Sequence, residues 1–124
     1  GSGWFTDPAT VAKAHFRFNH KYQKGSTVPK GETEFKLGSL KFKSTSHDWL
    51  VINGAKAQFK GSGTINGAGN YGFLVTVIDG VDKVRVKIWD KVTGEVIYDN
   101  QPGAPDTADP LMRVGGGSIV VHNK

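Results

Sequence analysis

The chain has 124 residues, 16 Lys+Arg against 11 Asp+Glu, a formal net charge of +5, 17 Gly and no Cys. With 37% apolar and 22% charged residues it is too hydrophobic and too weakly charged for a disordered chain, and its length suits one domain, residues 1–124, rather than two small ones. No apolar run approaches the roughly 20 residues of a membrane-spanning helix, and the lack of Cys excludes a disulfide framework, thiolate metal sites and a cysteine nucleophile.

The opening residues GSGWFTDPAT carry neither a basic leader nor an apolar run, so a mature, excised or cytosolic chain is expected. From Lys13 to Tyr22 the sequence alternates: Ala14, Phe16, Phe18, His20 and Tyr22 fall on one face, and Lys13, His15, Arg17, Asn19 and Lys21 on the other. That is the pattern of a half-buried strand. Thr33, Phe35 and Leu37 alternate with Glu34 and Lys36, and after a break at Gly38-Ser39, Leu40 and Phe42 alternate with Lys41 and Lys43.

The stretches DWLVIN (48–53) and YGFLVTVI (71–78) are apolar on both faces and predict the core strands. Asn66-Gly67 predicts a hairpin between 57–65 and 69–78, because a type I′ turn needs positive φ twice. KVRVKIW (83–89) and EVIYDN (95–100), joined through Thr93-Gly94, read as a second hairpin. Residues 101–117 hold three of the five prolines, show no periodicity and predict a long surface loop. SIVVHN (118–123) reads as the last strand. Eight or nine short strands predict an all-β, antiparallel two-sheet β-sandwich, jelly-roll or immunoglobulin-like, with a flattened barrel as the alternative.

Several phrases together carry a family resemblance: GSGW, KAHFRFNHKYQKG, TVPKGETEF, DWLVINGAKAQFKGSGTINGAGNYGF, VDKVRVKIWDKVTGEVIYDN and GGGSIVVH. They resemble the C-terminal "post-COAP" type all-β domain of large secreted bacterial multidomain proteins, over essentially the whole chain. The resemblance implies a secreted or cell-surface, non-catalytic module. Two departures limit it. Residues 78–82 are shorter than the glycine-rich insertion of relatives, and Lys43 and His47 stand where relatives often have His and Tyr, so a function resting on that loop or pair is not carried over.

No enzyme is expected. His15, His20, His47 and His122 have no nucleophile motif beside them, and no HExxH, GxSxG or Walker pattern is present. Calcium is a candidate cofactor at Asp79 and Asp82, with Asp90 and Asp99 also at strand ends, because hard cations take clustered carboxylates. The same aspartates would serve equally as turn residues. Asp106 and Asp109 read as plain solvation.

Charge is uneven. Residues 12–43 carry a net +6 and the rest of the chain −1. If their strands are neighbours, Lys13, Arg17, Lys21, Lys36, Lys41 and Lys43 form one basic face, suited to an anionic cell-wall polymer, acidic polysaccharide or lipid head groups. The competing reading is a solvated face whose lysines guard strand edges. No nucleic-acid module is recognisable. Trp49, Phe59, Phe73 and Tyr98 fall in phase with apolar neighbours and predict core. Trp89 falls on the Lys83, Arg85 and Lys87 side, and Trp4 precedes the first predicted strand; these two are the candidates for a carbohydrate platform. The expected function is attachment to a glycan or envelope polymer. The alternative is a structural module that self-associates through edge strands.

Overall fold

The computed structural model describes residues 2–8, 12–22 and 29–118, with side chains described within 2–8, 12–18 and 31–116. The strands are β1 (Ser2–Thr6), β2 (Lys13–Tyr22), β3 (Pro29–Leu37), β4 (Leu40–Asn53), β5 (Lys56–Ile65), β6 (Ala68–Ile78), β7 (Lys83–Asp90), β8 (Val96–Asp99), β9 (Met112–Arg113) and β10 (Gly116–Ser118). They form one antiparallel sheet in the order β10-β1-β2-β3-β4-β5-β6-β7-β8, with β9 sharing with β8 the second edge of β7.

Residues 112–118 bring the two ends of this sheet together. Met112 and Arg113 pair with Val84 and Lys83 of β7, whereas Gly116, Gly117 and Ser118 pair with Trp4, Gly3 and Ser2 of β1. Between them, the Val114 N–H donates to the Asp82 carbonyl at 2.9 Å and the Gly115 N–H to the Trp4 carbonyl at 2.7 Å. The fold is therefore a nearly closed barrel, and the expected two-sheet sandwich is incorrect. A sandwich requires the chain to pass between sheets, but here every strand from β1 to β8 pairs with its chain neighbour. The sheet is a meander that coils until its ends meet.

The same closure corrects the reading of both ends. Trp4 does not precede the first strand but lies on β1, and the expected loop 101–117 ends in β9 and β10. Of the predicted strand 118–123, residues 119–123 lie outside the described residues.

All seven phenylalanines are buried: Phe5, Phe16, Phe18, Phe35, Phe42, Phe59 and Phe73. Cross-strand partners share a face of a sheet, and the pairings Phe16 with Phe35, Phe35 with Phe42, Phe59 with Val75 and Val75 with Val86 carry one apolar face around the barrel. Each buried Phe contributes about 1.5–3 kcal/mol of transfer free energy. Opposite large rings the chain places glycine: a Cβ at Gly61 would collide with Phe73, and one at Gly63 with Phe42. One cavity among these rings has about 10 Å³, room for one water at most.

β4 is one strand of 14 residues, not two short ones. Its pairing with β5 slips between Ser44 and Ser46 and again between His47 and Trp49. Each bulge adds a residue and shifts the alternation. The first slip turns His47 inward, opposite Gly61, and the second restores the phase, so that Trp49 pairs with Lys60 of the outer face and Leu50 with Phe59 of the inner face. Trp49 is thus not a core residue. The other three aromatics expected there behave as read: Phe59 and Phe73 are buried, and Tyr98 packs against the core.

Between β8 and β9 the edge of β7 would be left with unpaired backbone groups. The Asn100 side chain fills this gap: its Oδ1 accepts from the Val86 N–H at 2.9 Å and its Nδ2 donates to the Val84 carbonyl at 3.1 Å. One carboxamide thereby stands in for a peptide unit of the ladder. Asn100→Ala leaves both buried groups without these partners and is expected to lower stability by about 2–3 kcal/mol. Urea unfolding checks this as a lower midpoint at unchanged slope; a midpoint equal to that of the parent chain would mean that the carboxamide contributes nothing to the ladder.

Candidate functional site

Buried apolar side chains line the inner face, and the polar and charged side chains whose chemistry could serve a ligand lie on the outer face. That face has three regions: a region covered by the 101–111 segment, a basic region on β2–β4, and an aromatic region on β4–β7.

The covered region is centred on Arg85, which is 1% exposed although it points away from the lumen. Its Nε and Nη2 donate to the two carboxylate oxygens of Asp99 at 3.2 and 2.8 Å, and Nη2 and Nη1 donate further to the carbonyls of Ala104 and Pro105 at 3.0 and 2.6 Å. The 101–111 segment is strapped down around it. Lys56 pairs with Asp109 and Lys87 with Asp106, each at 2.8 Å, and Gln58 donates to the Asp106 carbonyl at 2.7 Å. Asp106 and Asp109 therefore anchor the strap and are not plain solvation, although such exposed pairs add little stability individually.

In the basic region, the predicted strands are indeed neighbours. One outward row runs Trp4, His15, Lys36, Lys41, and the next runs Ser2, Arg17, Glu34, Lys43, Thr64. Lys36 and Lys41 stand directly opposite each other, an arrangement that costs free energy through like-charge repulsion. Glu34 separates Arg17 from Lys43 and divides the positive field. Lys13 lies over the Trp4 ring at 4.3 Å from its centroid, and the same ring lies against Gly115 and Gly116, where any Cβ would collide with it. Trp4 and Lys13 thus belong to the closure of the barrel. Lys21 pairs in register with Lys30, and its side chain lies outside the described ones.

Lys36, Lys41, Lys43, Glu34, Thr64 and Asn66 border an open groove of about 710 Å³. Its rim is fixed by the turn at Asn66, which has φ 52°: the Asn66 N–H donates to the Lys41 carbonyl at 2.8 Å and the Lys41 N–H to Asn66 Oδ1 at 3.0 Å. Among the described residues, Lys36, Lys41 and Lys43 form no ion pair.

In the aromatic region, Trp89 lies on the outer face as expected. Its indole rests on Gly72, where a Cβ would overlap the ring, and the ammonium groups of Lys60 and Lys87 stand 5.5 and 5.9 Å from its centroid. These distances are within cation–π range. Trp49 is opposite Lys60 on the adjoining strand, and Leu74, also opposite Lys60, is 4% exposed. Trp49 was missed as a surface candidate because DWLVIN reads as continuous core; the second bulge restores the alternation that the first one shifts, and Trp49 faces outward opposite Lys60.

Asp79 and Asp82 flank the β6–β7 turn. The Asp79 N–H donates to the Ala55 carbonyl, and Asp82, at φ 50°, accepts the Val114 N–H on its carbonyl. Asp90 caps the next turn through the N–H groups of Val92 and Thr93, and Asp99 holds Arg85. Among the described residues no three His, Asp or Glu side chains form a group able to hold a metal ion.

His47 is buried where β4 parts from β3. Backbone pairing of these strands ends at Glu34 and Lys43; beyond it the Thr33 N–H donates to Ser44 Oγ at 2.9 Å, and Thr33 Oγ1 and His47 Nε2 lie 3.0 Å apart. Burial lowers the His47 pKa from its ordinary value, with the Asp48 charge acting in the opposite direction. Burial also raises the Tyr98 pKa, reinforced by the hydrogen bond it donates to Asp7 at 2.8 Å and by the charges of Asp7 and Asp99. No family model, curated protein or solved structure matches the chain.

Because the folded chain holds His47 neutral more strongly than the unfolded chain does, the unfolded state binds the extra proton as pH falls through about 6.5. Stability is therefore expected to be complete above that pH and to decline below it, until the lowered folded pKa is passed. Thermal unfolding from pH 8 to 5, compared with His47→Gln, measures this; a decline of equal size in both proteins would locate the sensitivity elsewhere.

Proposed function

We propose that the chain is a non-catalytic attachment module that holds a secreted or surface-attached bacterial protein to an anionic envelope polymer or acidic glycan. The observation that carries this reading is the groove bordered by Lys36, Lys41 and Lys43, in which like charges directly face one another and none is neutralised by an ion pair among the described residues. Such an arrangement is costly in the free protein and is relieved by a polyanion. The apolar inner face supports the reading, because it leaves the charged side chains on the exterior, and the resemblance to the terminal domains of secreted bacterial proteins supports the location.

Lys13, Arg17 and Trp89 contribute unequally. Lys13 is engaged with Trp4, and Arg17 faces Glu34, so the binding contribution centres on Lys36, Lys41 and Lys43. Lys36→Glu/Lys41→Glu is expected to abolish retention on anionic cell-wall polymer while leaving the fold intact, and retention of the parent chain is expected to weaken as salt rises. Pull-down at low and high salt, with circular dichroism of the variant, measures both. Undiminished retention of the double variant would sink the assignment of the groove.

A structural, self-associating module is the second reading. It is favoured by the exposed apolar side chains of Val92, Val96 and Ile97 at 81%, 48% and 39%, on and beside the short edge strand β8. Edge-to-edge pairing there predicts a mass in solution that rises with concentration and falls in Ile97→Lys. Sedimentation equilibrium decides it: a monomer at all concentrations removes this reading.

A further inference from the structure

We infer that the groove is one end of a longer track along the outer face of β4 and β5, and that its ligand is a polymer of carboxylated sugar rings rather than a phosphate polymer. This inference rests on the attachment reading above and assigns the ligand class. The outward pairs Lys43 with Thr64, Ser46 with Ser62, and Trp49 with Lys60 lead from the groove to the aromatic region, with one bulge of β4 between each pair and the next. Lys91 extends over this line, its Nζ 2.9 Å from Ser62 Oγ. The track therefore begins with Lys36, Lys41 and Lys43 and ends between Trp49 and Trp89, with Lys60 between the two indoles.

The two ends differ in chemistry. Lysines alone satisfy any anion, whereas an indole lying flat on a sheet offers a face to the C–H side of a sugar ring. Trp89 is supported from beneath by Gly72 and has Lys60 at 5.5 Å from its centroid. Lys87 is also near the ring but is committed to Asp106, which leaves Lys60 as the cation available to a carboxylate on a stacked ring. Trp4 provides the contrast within the same molecule: Gly115 and Gly116 hold one side of its ring and Lys13 stands at 4.3 Å, so it is used by the fold itself. A sugar acid satisfies both ring and cation at Trp89, and its repeat along the chain supplies further carboxylates to Lys91 and Lys43. A polyphosphate or glycerol phosphate chain has no ring to place there.

The test is isothermal titration of the whole chain with polygalacturonate and with inorganic polyphosphate of similar charge, using the parent, Trp89→Ala, Lys60→Gln and Lys36→Glu/Lys41→Glu. The expected result is binding of polygalacturonate weakened roughly tenfold by Trp89→Ala, as for a central aromatic anchor, and weakened by Lys60→Gln, with little change in either variant toward polyphosphate. Trp89→Phe keeps a ring over Gly72 and is expected to recover part of the affinity, so a fold defect in Trp89→Ala is separated from loss of stacking. Equal affinity for both polymers, insensitive to Trp89 and Lys60 but abolished by Lys36→Glu/Lys41→Glu, would overturn the inference and leave the attachment reading standing. Binding of neither polymer would overturn both.

Discussion

The structure depends on the backbone hydrogen bonds made by residues 112–118, which pair with β7 at one end and β1 at the other. A coiled sheet with two free edges would expose unpaired N–H and C=O groups along both. A single extended segment satisfies part of each edge and joins them. Glycine is required where it does so: Gly115 and Gly116 run beneath Trp4, and the indole occupies the space a side chain would need. Across the same junction Tyr98 from β8 reaches Asp7 just beyond β1, and its ring lies 4.9 Å from that of Phe35. Closure thus couples the first and last strands through backbone, indole and phenol together.

Closure also separates an inner face from an outer one. The phenylalanines pack together on the inner face, and the 101–111 segment packs on the outer one, around Arg85. A guanidinium removed from water requires nearly all its donors to be bound, and here a bidentate carboxylate and two loop carbonyls supply the acceptors. The strap covers part of β5–β7 and confines the accessible lysines and indoles to the stretch from β2 to the Trp89 end of β7. The accessible outer face is what the covering leaves over.

Much of this was legible in the sequence. Alternation located the strands, placed Phe16, Phe35 and Val86 inward, and put Lys36, Lys41 and Trp89 outward; Asn66-Gly67 marked its hairpin, and the uneven charge pointed to β2–β4. Trp49 and His47 were not legible. In strict alternation from Phe42, His47 would face outward; the unpaired Thr45 turns it inward, and the unpaired Asp48 restores the phase, so that Trp49 faces outward although DWLVIN reads as core on both faces. Bulges depend on how a strand meets its partner's curvature, which is not encoded in a period of two. Asn100 was equally opaque, since its carboxamide matters only because β8 and β9 leave a gap on β7.

The sequence by itself determined an all-β chain with one apolar face and one polar face, because strand periodicity is local. Sandwich or barrel was decided only in three dimensions. Both architectures bury one face of every strand and present the same alternation; they differ in whether the ends of the sheet meet. That is settled by contacts between residues 2–4 and 116–118, over a hundred positions apart, and by the cumulative coil of bulges and glycines between them. The basic face followed from alternation and adjacency, but its joining to Trp89 through Lys60 and Trp49 followed from the register of β4 on β5, a tertiary property.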